Sequence, residues 1–260
     1  MGANLSLGAG LNRSVGKSIA SARFRVEDWA AGALGLRTRE DWRAWSRGAA
    51  APDAGEPEVT LPTMLRRRIS PIGQMAFRAV CALPQQPTAR FIFCSRHGEF
   101  QRTLGILRSL AAAEPVSPAE FSLSVHNALA GLLSIAWSNT SGHTTISAGV
   151  DSFCSALVEA SACLASRPSE PILLVYFDDR LPEPYAEIAD SDEAGVALAL
   201  LLNAPRGDGE DLLVELEPRD ETMTIATATG QALDFLRFLL TDQKEKTLAG
   251  ERIQWRWRRA

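Results

Sequence analysis

Four short runs constrain the fold more than anything else in the chain: "ARFIFCS" (89–95), "HTTISA" (143–148), "EPILLVYFDD" (170–179) and "AGVALALLLNA" (194–204). Each is too short for a buried helix and rich in β-branched, aromatic or aliphatic residues, so each reads as a strand, the apolar ones buried on both faces. Between and around them lie segments of helical period. "SPIGQMAFRAVCAL" (70–83) has Ser70 as N-cap, Pro71 at its first position and Ile72, Met75, Ala76, Ala79 and Val80 on one face. "FQRTLGILRSLAAA" (100–113) turns Leu104, Leu107 and Leu110 inward and Arg102 and Arg108 outward. "SLSVHNALAGLLSIAWS" (122–138) is apolar nearly all round and reads as one central helix, and 151–166 as another. Strands alternating with helices predict an α/β layered fold, helices packed on a mixed β-sheet.

The flanks complete the expectation. "SIASARFRV" (18–26) alternates as a strand, and "TREDWRAWSRG" (38–48) is a short helix capped by Thr38. "DLLVELEPRD" (211–220) alternates like a strand at a sheet edge, "GQALDFLRFLLTD" (230–242) is a last helix, and "ERIQWRWRR" a closing strand. Residues 1–16 are Gly-, Ser- and Asn-rich and are expected to be disordered, 49–58 to be a loop, and 17–260 to form a single domain.

Bulk properties exclude several classes. With 260 residues, 46% hydrophobic, the chain can bury a large core, and a formal net charge of −4 disfavours general nucleic-acid binding. Cysteines 81, 94, 154 and 163 form no C-x-x-C pair and sit among apolar or small residues, which points to reduced thiols and a cytoplasmic location. The longest apolar run, Gly195–Leu202, falls far short of the ~20 residues of a spanning helix, so no membrane span is expected. Residues 1–6 match the loose myristoylation pattern, and Asn4, Asn12 and Asn139 open N-x-S/T triplets, signals cheap enough to arise by chance.

The chemistry-bearing residues are few. The histidines are His97, His126 and His143, none at zinc-site spacing, so no metal is expected. No G-x-S-x-G, P-loop or G-x-G-x-x-G occurs. His97 follows a strand, where α/β folds place ligand loops, although a histidine bonded to loop backbone fits as well. "LRRRIS" (65–70) is a basic cluster that reads as solvated surface or, with Arg66, Arg67 and Arg68, as a docking patch for an acidic carrier protein.

"SAGVDSFCSALVEASACLAS" (147–166) joins a strand to a helix through a sharp turn. Together with "VSPAEFSLSVHNALAG" (116–131) it resembles the N-terminal half of β-ketoacyl synthases, of thiolase-like fold. Ser117, Pro118, Asn127, Ala130 and Gly131 keep that family's spacing, and the similarity extends over 60–180. "SRHGE", "SP-x-x-F-S-x-S-V-H-N-A" and "SAG-x-D-x-F" further resemble chain-length factors of bacterial aryl polyene clusters.

The resemblance places the nucleophilic cysteine of a ketosynthase on Asp151. A carboxylate there is comfortable at a helix N-terminus, would cap the helix and is a poor acyl acceptor. The family's condensing enzymes also need histidines from a C-terminal half, and no histidine follows Asp151. Cys154, one turn on, remains as an alternative nucleophile, although its neighbour's charge would raise its pKa and a core role beside Phe153 and Leu157 fits it better.

What the resemblance implies is a non-catalytic subunit that heterodimerises with an active β-ketoacyl-ACP synthase in polyene or fatty-acid-type biosynthesis. It would itself need no cofactor, the partner taking acyl-phosphopantetheine from an acyl carrier protein. The interface would include His126, Asn127, Gly131, Thr145 and Ile146, with Phe121, Ser122, Leu123 and Ser124 reaching toward the partner's acyl tunnel. Phe121 and Leu123 are the leading candidates for its wall, although packing in the interface core fits each of them singly as well. The rival readings are an acyltransferase or thioesterase using Cys154 with His97 or His126, and a homodimeric acyl- or carrier-binding protein.

Overall fold

The computed structural model describes residues 18–33, 35–36, 38–49, 66, 68–85, 87–188 and 195–260. The expected disordered stretch 1–16, nearly all of the expected loop and Arg67 lie outside them. Strands β1 (Ala20–Ala33), β2 (Arg90–Cys94), β3 (His143–Ile146), β4 (Ile172–Asp178), β5 (Val196–Asn203), β6 (Leu212–Pro218), β7 (Glu245–Ala249) and β8 (Ile253–Arg259) form one sheet in the order β3-β2-β4-β5-β1-β6-β8-β7. Only β3-β2-β4 are parallel; the other neighbours are antiparallel. The helices are α1 (Arg39–Ser46), α2 (Pro71–Cys81), α3 (Phe100–Ala111), α4 (Pro118–Ser124), α5 (Ala128–Ala136), α6 (Ser152–Ser166) and α7 (Ala228–Leu240), with a 3₁₀ turn at Tyr185–Ile188. The mixed sheet with helices on it is the layered α/β architecture that the strand–helix alternation predicts.

The period of two in the central strands sorts two cores. Phe91 and Phe93 of β2 and Leu173, Val175 and Phe177 of β4 face α2 and α5, packing with Ile72, Phe77, Leu129 and Leu133. Their neighbours Ile92, Cys94, Leu174 and Tyr176 face α6 and α7, packing with Phe153, Leu157, Phe235 and Trp257. Capping proceeds as the sequence indicates: the Ser70 hydroxyl accepts from Gly73 N at 3.1 Å, and Thr38 and Asp41 form a reciprocal capping box.

Several expectations need correction. The strand expected at 18–26 runs on to Ala33, because 25–33 pair with β5 while 20–24 pair with β6, so one strand laces both halves of the sheet together. The strand at 211–220 is not an edge: β6 lies between β1 and β8. Its alternation comes instead from one-sided burial, with Val214 in the core and Glu217 paired at 3.0 Å to Arg256 on the other face. The edge on that side is β7, too short to announce itself by pattern, and β3 is the other edge.

The long apolar helix expected at 122–138 is two helices in an outer layer. Val125 turns extended (φ −70°, ψ 143°), and the break at 125–127 lets the His126 side chain reach the Ser95 carbonyl, Nε2 to O 3.2 Å. In α5 only Leu129, Ala130 and Leu133 are buried, while Ile135 is 78% exposed. On α3, Leu107 and Leu110 are exposed rather than inward, and Arg102, expected outward, is drawn into ion pairs with Glu99 and Glu120.

Candidate functional site

At the C-terminal end of β3 the chain turns sharply through 147–150 and enters α6. Gly149 occupies the left-handed region (φ +59°), where a side chain would be strained. The Ser152 hydroxyl donates to the Gly149 carbonyl at 2.7 Å and accepts from Ala148 N at 3.0 Å, which closes the elbow. Asp151 sits at the N-cap, where the resemblance leads one to expect a nucleophile.

Asp151 does not cap its helix, contrary to expectation: its side chain accepts no bond from the first turn. It reaches across the core instead. Oδ1 accepts from Gln231 Nε2 of α7 at 2.7 Å and from Trp255 Nε1 of β8 at 2.8 Å, and Oδ2 accepts from Glu251 N at 2.9 Å. The carboxylate is therefore a buried latch, 7% exposed, that holds the β7–β8 turn against the elbow. Gly250 makes the latch possible, since a Cβ there would lie 2.2 Å from Asp151 Oδ1 and 2.6 Å from Trp255 Nε1. A cleft of about 380 Å³ opens beside the elbow, lined by Arg96, Gly149, Val150, Ile225, Thr227 and Glu251 among others; neither Asp151 nor Cys154 lines it.

Cys154 is fully buried with Phe153 and Leu157. Burial pushes its thiol well above the usual range, and the Asp151 carboxylate and then Cys94 push it the same way. Among the described residues no hydrogen bond joins it to His97 or His126, so the geometry speaks against the reading in which it acts as a nucleophile. All four cysteines are free thiols. Native-state alkylation at neutral pH is expected to label exposed Cys81 and leave Cys154 untouched until the chain unfolds, which peptide mass mapping reads directly. Rapid labelling of Cys154 would revive the enzymatic alternative.

The loop after β2 forms the other wall. Asp178, at the end of β4 and buried, accepts from Arg96 N at 2.9 Å, His97 N at 3.2 Å, Ser95 Oγ and the Tyr176 hydroxyl, both at 3.3 Å. Burial holds its carboxyl above the usual range, and those donors counter this. His97 is thereby fixed through its backbone, and its ring lies edge-on to Phe100. His126 packs over Gly98, where a Cβ would come within 2.8 Å of its ring. Burial lowers the pKa of both histidines. Asn139 is buried and donates to the Ala89 carbonyl, which explains that triplet without glycosylation.

Most of the remaining sequence-predicted residues lie on β3, α4, α5 and the segment between the two helices. Thr145 and Ile146 lie on edge strand β3, half-buried. Helix α5 packs beside β3 and exposes Ile135; α4 and the break after it expose Phe121 (61%), Val125 and Asn127, with Leu123 half-buried. Gly131 has open space where a Cβ would stand. Ser122 and Ser124 bond back to the carbonyls of Pro118 and Phe121, so their hydroxyls serve the local backbone. Arg66 and Arg68 are exposed, and the Arg68 carbonyl accepts from the same Arg102 guanidinium that pairs with Glu120 of α4. Sequence reasoning missed Gln231, Gly250, Trp255 and Asp178, the residues that seal and shape the elbow. They lie 80 or more residues from the elbow and β2-loop residues that they meet, and no local spacing signals them.

A parallel β3-β2-β4 core, an elbow leading from an edge strand into a buried helix, and helices on both faces define a protein of the thiolase-like ketosynthase fold. The family model of the β-ketoacyl synthase N-terminal domain matches residues 42–258, and the chain belongs to that family. A solved structure described as a ketosynthase (ApeO) in complex with its chain length factor (ApeC), from Xenorhabdus doucetiae, contains a chain 31% identical to this one. It aligns over 91% of this chain and 99% of that one with a TM-score of 0.78. The ishigamide ketosynthase/chain length factor aligns with a TM-score of 0.59 at 16% identity, over 77% of this chain and 68% of that one. A type II polyketide carrier protein–ketosynthase complex (AntDE:AntF) aligns at 0.53 and 12%, over 71% and 64%; these two likenesses bear on the fold alone. No curated protein matches. Among the described residues no helix is long and apolar enough to cross a membrane.

Proposed function

We propose that this chain is a chain-length-factor-type subunit that pairs with an active β-ketoacyl-ACP synthase and shapes the tunnel in which the partner's acyl chain grows, in biosynthesis of the aryl polyene type. The observation that carries the reading is the contrast between the two ends of the elbow. Its catalytic position is a hydrogen-bonded carboxylate sealed under the β7–β8 turn, while the strand leading into it is, among the described residues, an unpaired sheet edge, and α4, α5 and the segment between them leave Phe121, Val125 and Ile135 exposed. Edge strands and apolar patches of this kind call for cover. The likeness to a ketosynthase–chain length factor complex supports a ketosynthase as that cover.

In this reading the partner holds the acyl-phosphopantetheine chemistry and this subunit binds no cofactor. Phe121 and Leu123 act sterically, and exposed Arg66 and Arg68, with Arg67, offer a basic docking patch for the acyl carrier protein. The free thiols fit a cytoplasmic setting. Co-expression with an intact ketosynthase is expected to give a one-to-one heterodimer by native mass. In that complex Phe121→Ala and Leu123→Ala are expected to lengthen the product by at least one extension unit, with heterodimer yield unchanged. A homodimer indifferent to every ketosynthase would instead support the homodimeric binding-protein reading.

A further inference from the structure

Helix α4 carries Phe121 and Leu123, yet none of its own residues is buried. Between α4 and α3 lies a groove of about 290 Å³, walled by Gly105, Ile106, Pro115, Ser117 and Glu120 among others, and a Cβ at Gly105 would meet nothing within 4 Å. The two helices run close together, yet no residue of α4 is buried between them, so apolar burial does little to fix the seat of α4 on α3. What crosses the gap is charge. Arg102 of α3 places Nη1 2.7 Å from Glu120 Oε2 of α4, while its Nε donates to Glu99 Oε2 at 3.1 Å and its Nη2 to the Arg68 carbonyl. Arg102 is itself held: its side chain is 14% exposed and Glu99 only 3%. Glu99 also accepts from Ser70 Oγ at 2.8 Å, the hydroxyl that caps α2. The guanidinium is thus a fixed post anchored to α2 and the start of α3, and Glu120 is the one charged link from α4 to it among the described residues.

We infer that Arg102 and Glu120 are positioning residues that set how far Phe121 projects from this subunit. The inference rests on the chain-length reading above, and it deepens that reading by naming what fixes the steric stop. Phe121 follows Glu120 directly in the helix, so an ion pair that fixes the backbone at 120 also fixes the origin of the ring. Releasing it frees α4 to swing into the groove beneath it, and the stop becomes soft.

The test is Glu120→Gln in the full chain co-purified with its ketosynthase, which removes the charge link while leaving Arg102 on Glu99. Amide exchange over 120–124 is expected to rise roughly five-fold, the size a partly exposed ion pair supports, with exchange in α2 and α6 unchanged. Product lengths are expected to spread to both shorter and longer chains, where Phe121→Ala shifts them one way only. Glu120→Asp is expected to restore the narrow distribution in part. Unchanged exchange, or raised exchange with an unchanged product distribution, overturns the positioning role. If Phe121→Ala itself leaves products unaltered, the chain-length reading fails, and the exchange result alone reports on the tether.

Discussion

Asp151→Ala is expected to destabilise the chain by about 3 kcal/mol or more and to lower its melting temperature by roughly 6–12 °C. The carboxylate accepts from the Trp255 indole, the Gln231 amide and the Glu251 backbone. Removing it strands donors in a place built to exclude water, and each orphaned buried donor costs about 1–3 kcal/mol. Asp151→Asn separates charge from geometry. Its oxygen can still serve Trp255 and Gln231, but its amide then faces the Glu251 N–H donor to donor, so an intermediate loss is expected. Asp151→Cys, the substitution that would rebuild a nucleophile, is expected to lose as much stability as alanine and to yield no condensation. Gly250→Ala should reproduce the defect from the opposite side, because its methyl would occupy the space of the Asp151 and Trp255 contact. Thermal unfolding of the four variants checks the set. Wild-type stability in Asp151→Ala would remove the latch from the account.

Thr145→Pro is expected to abolish pairing with a ketosynthase while leaving the subunit folded. The carbonyls of Gly142 and Ile146 accept from Phe91 and Ser95 of β2 or its end, so even-numbered residues of β3 face the sheet. Thr145, of opposite parity, turns its N–H and carbonyl to the open edge. Proline there removes a donor that the fold of this chain does not use and that a partner strand would need. Ile135→Glu attacks the same face from α5. Ile135 is 78% exposed in the isolated chain, so the charge costs little alone. Buried without a partner in a heterodimer it should weaken association roughly a hundredfold or more. Native mass titration reads both. Heterodimers that survive both substitutions would move the interface elsewhere.

The reading of the elbow from sequence succeeded and failed in instructive places. Asp151 stands at the turn as the motif indicates, yet a carboxylate at a helix start satisfies the same local rule whether it caps that helix or reaches away from it. The choice was made by Trp255 and Gln231, brought to it by α7 and β8. The apolar stretch 122–138 was legible as helical but not as outer or inner, since a helix apolar all round fits a core and an interface equally. Leu107 and Leu110 misled for the same reason: amphipathic spacing reports a sticky face, and what it meets is not written in the period.

By itself the sequence determined most of the elements, the Thr38 and Ser70 caps, the two-faced burial of β2 and β4, and the family, because each depends on residues within a few positions of one another. Only the tertiary structure decided which strands are edges, how β1 joins the two sheet halves, and that the Asp151 carboxylate seals the elbow. Those outcomes depend on contacts between residues 35 to 196 positions apart. Local pattern carries no record of such pairs, since the energy that selects them exists only once the chain has closed on itself.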